Sequence, residues 1–244
     1  MKLYHLVQLF LFHFEQFLIL EVIYFIMIAD KKEDNHNTLK GYNMLLYFAG
    51  SMVMYEPSEE CVVDFWKKGI LTQLPVKSMN PRFLKAASQL RDSCKDKKLC
   101  AGILADDYNR LFPSEGFPLA PLYESVYKDD RITETGKINN SVSEFYDSYG
   151  WISKFRGKKA DDHLGIEILF LTRLIEKYLV IDDNVCQIEM RNEILRFIDQ
   201  HIMTWIPKWN EQMQEHATTL CYKGIGTLIY ACIEDISSVL SHSD

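Results

Sequence analysis

Apolar residues recur along this chain at intervals of three and four, in long stretches divided by short polar breaks, which is the signature of successive amphipathic helices. The stretch 39–55 is apolar nearly all round and stops before Glu56-Pro57. Ser58 with Glu59 and Glu60 is a good N-terminal cap and predicts a helix to about residue 68. Asn80-Pro81 repeats that signal and predicts a helix to about residue 98, with Phe83, Ala87 and Leu90 on one face. Another follows over about 101–112. Ser141 and Glu144 form a capping-box pattern that opens a short helix ending at Gly150. In the helix predicted for 162–181, Leu164, Ile168, Leu171, Ile175 and Tyr178 make one stripe, and Ile166, Phe170 and Leu174 widen it, so this element should be central. Asp182, Asp183 and Asn184 make a turn that caps a helix over 185–205, striped by Ile188, Leu195, Ile198 and Ile202. Pro207 breaks the pattern, and a final long helix runs to about 241. Gly224 and Gly226 fall inside it, each costing about 1 kcal/mol in propensity, so they should serve a bend or a close helix crossing. The expected fold is all-α: one large helical domain over 39–244.

Two segments depart from that pattern. Residues 113–135 hold Pro113, Gly116, Pro118 and Pro121, which deny regular helix, together with Phe117, Leu119, Leu122, Tyr123, Val126 and Tyr127. A long loop carrying so many large apolar groups must pack onto the body or onto a ligand. Residues 1–28 are strongly apolar, but Glu15 and Glu21 interrupt them and no small-residue cleavage pattern follows. That disfavours a secretory signal and a membrane span. It leaves a surface or partner helix, an extra core helix, or translated sequence ahead of a true start near Met27. We treat 1–38 as an apolar segment and polar linker without assigned function.

Composition narrows the function. Hydrophobic residues make up 48% of the chain, enough for a sizeable core. The balance of 34 acidic against 27 basic residues, net −7, argues against nucleic acid as the main partner and suits a cationic one. The six cysteines form no C-x-x-C pair and no zinc-spaced cluster, and read as reduced, buried thiols. No phosphate loop, nucleophile elbow or catalytic cysteine arrangement is present. The polar cluster with an enzymatic look is Asp161-Asp162-His163 with Glu167. His163 and Glu167 lie four apart on one helical face, where they could serve a metal-dependent hydrolase. No second ligand cluster accompanies them. The same acids would also suit a helix N-terminus. An aromatic, proline-containing loop beside an acid-histidine helix start suits an apolar peptide flanked by positive charge.

Three linked segments resemble one family. They are Tyr108 to Phe112 followed by Pro121 to Tyr127, then Asp162 to Glu167, then His201, Trp205 and Pro207 at a helix end. In this order and spacing, over about 40–240, they are similar to the TorD/DmsD redox enzyme maturation chaperones. The resemblance implies an all-helical, cytoplasmic chaperone that is not an enzyme and carries no cofactor. Its partner would be the precursor of a DMSO-reductase-type molybdoenzyme. Such a chaperone binds the twin-arginine leader or the apoenzyme while cofactor is inserted. We expect no nucleic-acid partner, at most peripheral membrane association, and a monomer or dimer. By motif position, it puts leader binding at Tyr108, Leu111, Phe112, Pro121, Tyr123, Ser125, Asp162 and His163. Relatives often carry tryptophan where this chain has Tyr108 or Tyr123. A chaperone for assembly of a membrane-associated nitrate reductase is the nearest alternative.

Overall fold

The structure, a computed structural model, describes residues 34–58, 74–93, 97–128 and 141–242. Helix α1 covers 34–54; α2 is Pro81–Asp92, α3 Lys97–Leu111, the single turn α4 Glu124–Tyr127, α5 Ser141–Ser148 and α6 Leu164–Val180. Helix α7 is Asn184–Phe197 and runs on into a π-helical turn, Ile198–Ile202; α8 is Ile206–His216 and α9 Leu220–Ser241. Among the described residues the backbone forms no strand, and its one β-type pairing is an isolated bridge, so the all-α expectation holds. The predicted helix 58–68 and the segment 1–28 lie outside the described residues.

The caps follow the sequence closely. Asn80 accepts from the Arg82 amide at 2.9 Å with Pro81 in the first turn of α2. Asp183 accepts from the Cys186 amide at 2.8 Å and opens α7. Helix α2 stops at Asp92, short of the predicted end near 98. The predicted final helix is in fact two. The Thr219 hydroxyl caps α9, and the chain breaks over 217–219 because buried Asp107 of α3 collects that turn's donors. Its carboxylate accepts from the amides of Thr218 and Thr219 and from the Thr219 hydroxyl, at 2.7–3.1 Å. Burial pushes the Asp107 carboxyl up, but those hydrogen bonds outweigh it and hold it below the ordinary range.

Helix α9 is the hub. It is long and apolar enough to cross a membrane, yet here it packs along α2 and against α8, and most of its residues are buried. The two glycines act at these crossings. A Cβ on Gly224 would lie 2.8 Å from Leu90 Cγ of α2, and one on Gly226 would lie 3.0 Å from Met213 Cβ of α8. Helix α1 is wedged between α6 and α9. A Cβ on Gly50 would meet Ile168 at 3.1 Å, and Tyr42 donates to Asp235 of α9 at 2.7 Å. Phe145 and Tyr146 of α5 pack onto Phe170 and Phe197 with ring centroids 4.7–6.3 Å apart, locking α5 over the α6–α7 pair. Cys221 and Cys232 are free and buried, as expected, but Cys186 is exposed and Cys100 is disulfide-bonded, which corrects the expectation of reduced, buried thiols throughout.

Candidate functional site

The loop that leaves α3 folds straight back onto it: the amides of Leu119 and Ala120 donate to the Leu111 carbonyl at 3.1 and 3.5 Å. It then runs antiparallel to the segment entering α6. Leu164 N–H donates to the Leu122 carbonyl at 2.8 Å and Glu124 N–H to the Asp162 carbonyl at 3.0 Å, which makes Tyr123 and His163 a bridged pair. Backbone groups in a half-buried loop need such partners, and here they seam two segments far apart in sequence. One Asp162 carboxylate oxygen accepts from the Ser125 amide at 3.0 Å. That carboxylate therefore caps α4. His163 caps α6 itself, with Nδ1 accepting from the Gly165 amide at 3.0 Å. The expectation that Asp161 and Asp162 open α6 is corrected to this crossed arrangement.

The predicted site residues divide by exposure. Tyr123 stands edge-on to His163, ring centroids 5.2 Å apart at 86°. Tyr108 meets Phe112 at 5.3 Å, and both reach Tyr222 of α9 at 6.2 and 6.3 Å. Tyr108, Phe112, Pro121, Tyr123, Ser125 and Asp162 are half-buried, each keeping some accessible surface. Leu111 is 0% exposed and His163 1%, so they support that surface from beneath. Ser125 contributes its amide to the seam through the Asp162 bond.

Electrostatics joins these groups and adds one that the sequence did not single out. Burial, then the Glu56 carboxylate and the Tyr123 phenol, push the Tyr108 phenol up. Burial, then Asp162, do the same to Tyr123. Glu56 therefore acts on the same surface from the end of α1, where its sequence signal was only that of a helix stop. The His163 ring is pushed down to about 3, first by burial and then by the Lys159 ammonium. Lys159 Nζ sits 3.5 Å from Nε2. His163 is thus uncharged at neutral pH, and since Nδ1 accepts, its proton resides on Nε2.

Beneath the seam lies a buried polar layer. The Trp205 indole N–H donates to Glu167 at 3.3 Å, and His201 Nδ1 lies 3.4 Å from Glu124. Lys128 pairs with Glu124 and donates to the Gln200 carbonyl at 2.9 Å, tying the end of α4 to the π-helical turn. Tyr127 stacks on Trp205 at 5.4 Å and 23°. Burial, then the nearby Glu124 and Asp162 carboxylates, push the Glu167 carboxyl well above the ordinary range. His163 and Glu167, paired in the hydrolase alternative, are committed to Gly165 and to Trp205. Among the described residues no three His, Cys, Asp or Glu groups are set to hold a metal ion.

Comparison with known proteins agrees with this architecture. Residues 77–211 match the family described as nitrate reductase delta subunit. The chain is 26% identical to the chaperone protein TorD of Psychrobacter sp. (strain PRwf-1) over 133 residues, which are 54% of this chain and 59% of that protein. It thus spans about three-fifths of that relative. It is 24% identical to TorD of Vibrio cholerae serotype O1 (strain M66-2) over 195 residues, 78% of this chain and 87% of that protein. A TorD of Aliivibrio salmonicida is 22% identical over 138 residues. Each of these relatives is named a chaperone. With its matched region covering more than half of the chain, the protein belongs to the nitrate reductase delta subunit family, the family of the TorD-type chaperones.

Proposed function

We propose that this protein is a cytoplasmic, non-enzymatic chaperone of a DMSO-reductase-family molybdoenzyme. It binds the twin-arginine leader, or the apoenzyme, while cofactor is inserted, and so holds back premature export. The observation that carries this reading is the surface where Tyr108 and Tyr123 offer half-buried rings beside the carboxylates of Glu56 and Asp162. Rings of this kind take apolar side chains and stack with guanidinium groups. Carboxylates at their edge favour the arginines over other peptides. His163 is uncharged and adds no repulsion of its own, and the half-buried Lys159 ammonium, 3.5 Å from its Nε2, is a cation that the carboxylates must outweigh. Phe112 and Pro121 would extend the apolar floor. Leu111, His163 and the Ser125 amide would hold it in place.

Titration of the purified protein with a twin-arginine leader from a molybdoenzyme precursor tests the reading. Saturable binding is expected. Asp162→Asn keeps an oxygen to accept from Ser125 and removes the charge, so it should weaken binding by about tenfold at low salt without lowering the melting temperature. Absence of binding to both leader and apoenzyme would sink the reading. A second reading, assembly of a membrane-associated nitrate reductase by a monomer or dimer of this chain, draws on the description of the matched family. Capture of a leaderless catalytic subunit, with no twin-arginine leader bound, would select it.

A further inference from the structure

The last turn before the seam, 153–160, is the most cationic place in an acidic protein. It carries Lys154, Arg156, Lys158 and Lys159 within six positions, against a net charge of −7 for the whole chain. Lys154, Arg156 and Lys158 are exposed, and none has an ion-pair partner among the described residues. Gly157, at φ +80°, gives the turn its sharp return. Phe155 anchors the turn to the end of α1, its ring 6.0 Å from that of Tyr55, and Lys154 lies over the Phe155 ring at 5.1 Å.

Between this turn, α1 and the start of α6 runs a groove of about 230 Å³. Its walls include Leu46, Met54, Tyr55, Phe155, Ile168 and Leu169, and Ser51 opens onto it from the exposed side of α1. Among the described residues its charged lining is Lys154 and Arg173, with no carboxylate. Glu176 already neutralises Arg173 at 2.6 Å, which leaves Lys154 and the rest of the turn without a carboxylate partner among the described residues. The volume falls below that of typical small-molecule sites, about 300 Å³ and upward, and suits a few side chains better than a cofactor. A twin-arginine segment would be repelled here, so this groove and the Tyr108–Tyr123 surface call for ligands of opposite charge.

We infer that the groove between α1 and α6, rimmed by the 154–159 turn, is a second peptide site that takes apolar side chains flanked by carboxylates, as on an acidic segment of the client's own body. This site goes beyond leader binding, and naming the client as its occupant rests on the proposed chaperone function. The rim cations steer the acidic flanks and set a salt-dependent encounter. Burial of the apolar side chains against Met54, Phe155 and Ile168 holds them.

The test uses the full-length protein and a labelled short peptide with paired central leucines flanked by glutamates. Its control carries lysines in place of the glutamates. Fluorescence anisotropy should show saturable binding of the acidic peptide that weakens as salt rises, and little binding of the control. Lys154→Glu combined with Arg156→Glu, and separately Ser51→Trp, which fills the groove from an exposed position, should each weaken it about tenfold or more with unchanged melting. Leader affinity should stay the same in these variants, so failure of either site is read apart from the other. The inference is overturned if the acidic peptide fails to bind, if neither variant weakens it, or if the leader displaces it competitively. Sedimentation with phosphatidylserine vesicles that the peptide cannot reverse would also overturn it, and would assign the turn to a membrane surface.

Discussion

His163 shows how one residue can be a cap and a pH sensor at once. Its ring accepts from Gly165 at the start of α6 and is held to about 3 by burial and by Lys159, against an ordinary 6.5. Between those two pH values the unfolded chain binds a proton that the folded chain refuses, so stability falls as the pH falls. The stabilisation is complete above about 6.5 and is lost progressively toward 3. Asn at this position would keep a capping oxygen and remove the titration. From pH 7 to pH 5, wild type should therefore lose about 2 kcal/mol more than His163→Asn in urea unfolding. Glu167 carries the opposite sign, because a raised carboxyl stabilises the folded chain at low pH. It is present in both proteins and cancels from the comparison. Parallel pH profiles would mean that the ring is charged in the folded state.

Helix crossings carry the architecture, and two glycines with similar close contacts should respond differently. At Gly224 the obstacle is the Leu90 branch carbon at 2.8 Å, in a side chain that is 1% exposed and packed on all sides. At Gly165 it is the Met54 terminal methyl at 2.6 Å, the end of a flexible thioether that can swing aside. Alanine gains about 1 kcal/mol of helix propensity inside α9 at Gly224, and less at Gly165 in the first turn of α6. Gly224→Ala should nonetheless destabilise by about 1–3 kcal/mol through overpacking, whereas Gly165→Ala should stay near neutral, both read as urea midpoints at constant slope. A neutral Gly224→Ala would show that α2 and α9 can separate freely. The sequence made Gly224 visible as a helix interruption but could not say which neighbour it admits. Local signals served best: the Asn80-Pro81 cap, the Asp183 cap and the stripe of α6 all appear as read. The break at 217–219 was missed because its cause, the Asp107 carboxylate, lies more than a hundred positions upstream. The π-helical turn leaves no residue signature. Of the candidate site, the aromatic loop and the Asp162-His163 start were legible as neighbours. Glu56, Lys159 and the buried Glu124–His201 pair were not, since each joins the site through a contact that only the folded chain makes.

At the scale of the molecule, the two surfaces share α6 as a wall, since Gly165 lines the basic groove immediately after His163 caps the helix beside Tyr123. One faces outward with carboxylates and rings, the other with lysines over an apolar floor. If both bind, a client that presents its arginines to the first and an acidic apolar segment to the second is held twice by one rigid element. The second contact then forms at the effective concentration set by the chain between the two segments, on the order of millimolar for a short flexible linker. A synthetic peptide joining a twin-arginine leader to the leucine–glutamate segment through a glycine–serine linker should bind on the order of a hundredfold more tightly than either segment alone. Lengthening the linker beyond the span should reduce that gain gradually, and a linker too short to span should abolish it. The Lys154→Glu, Arg156→Glu double variant should cut that gain by the factor it weakens the second site, about tenfold or more. Equal affinity of joined and single peptides at every linker length would show that the two surfaces cannot be occupied together. The charge asymmetry across α6 would then select between ligands instead of gathering them.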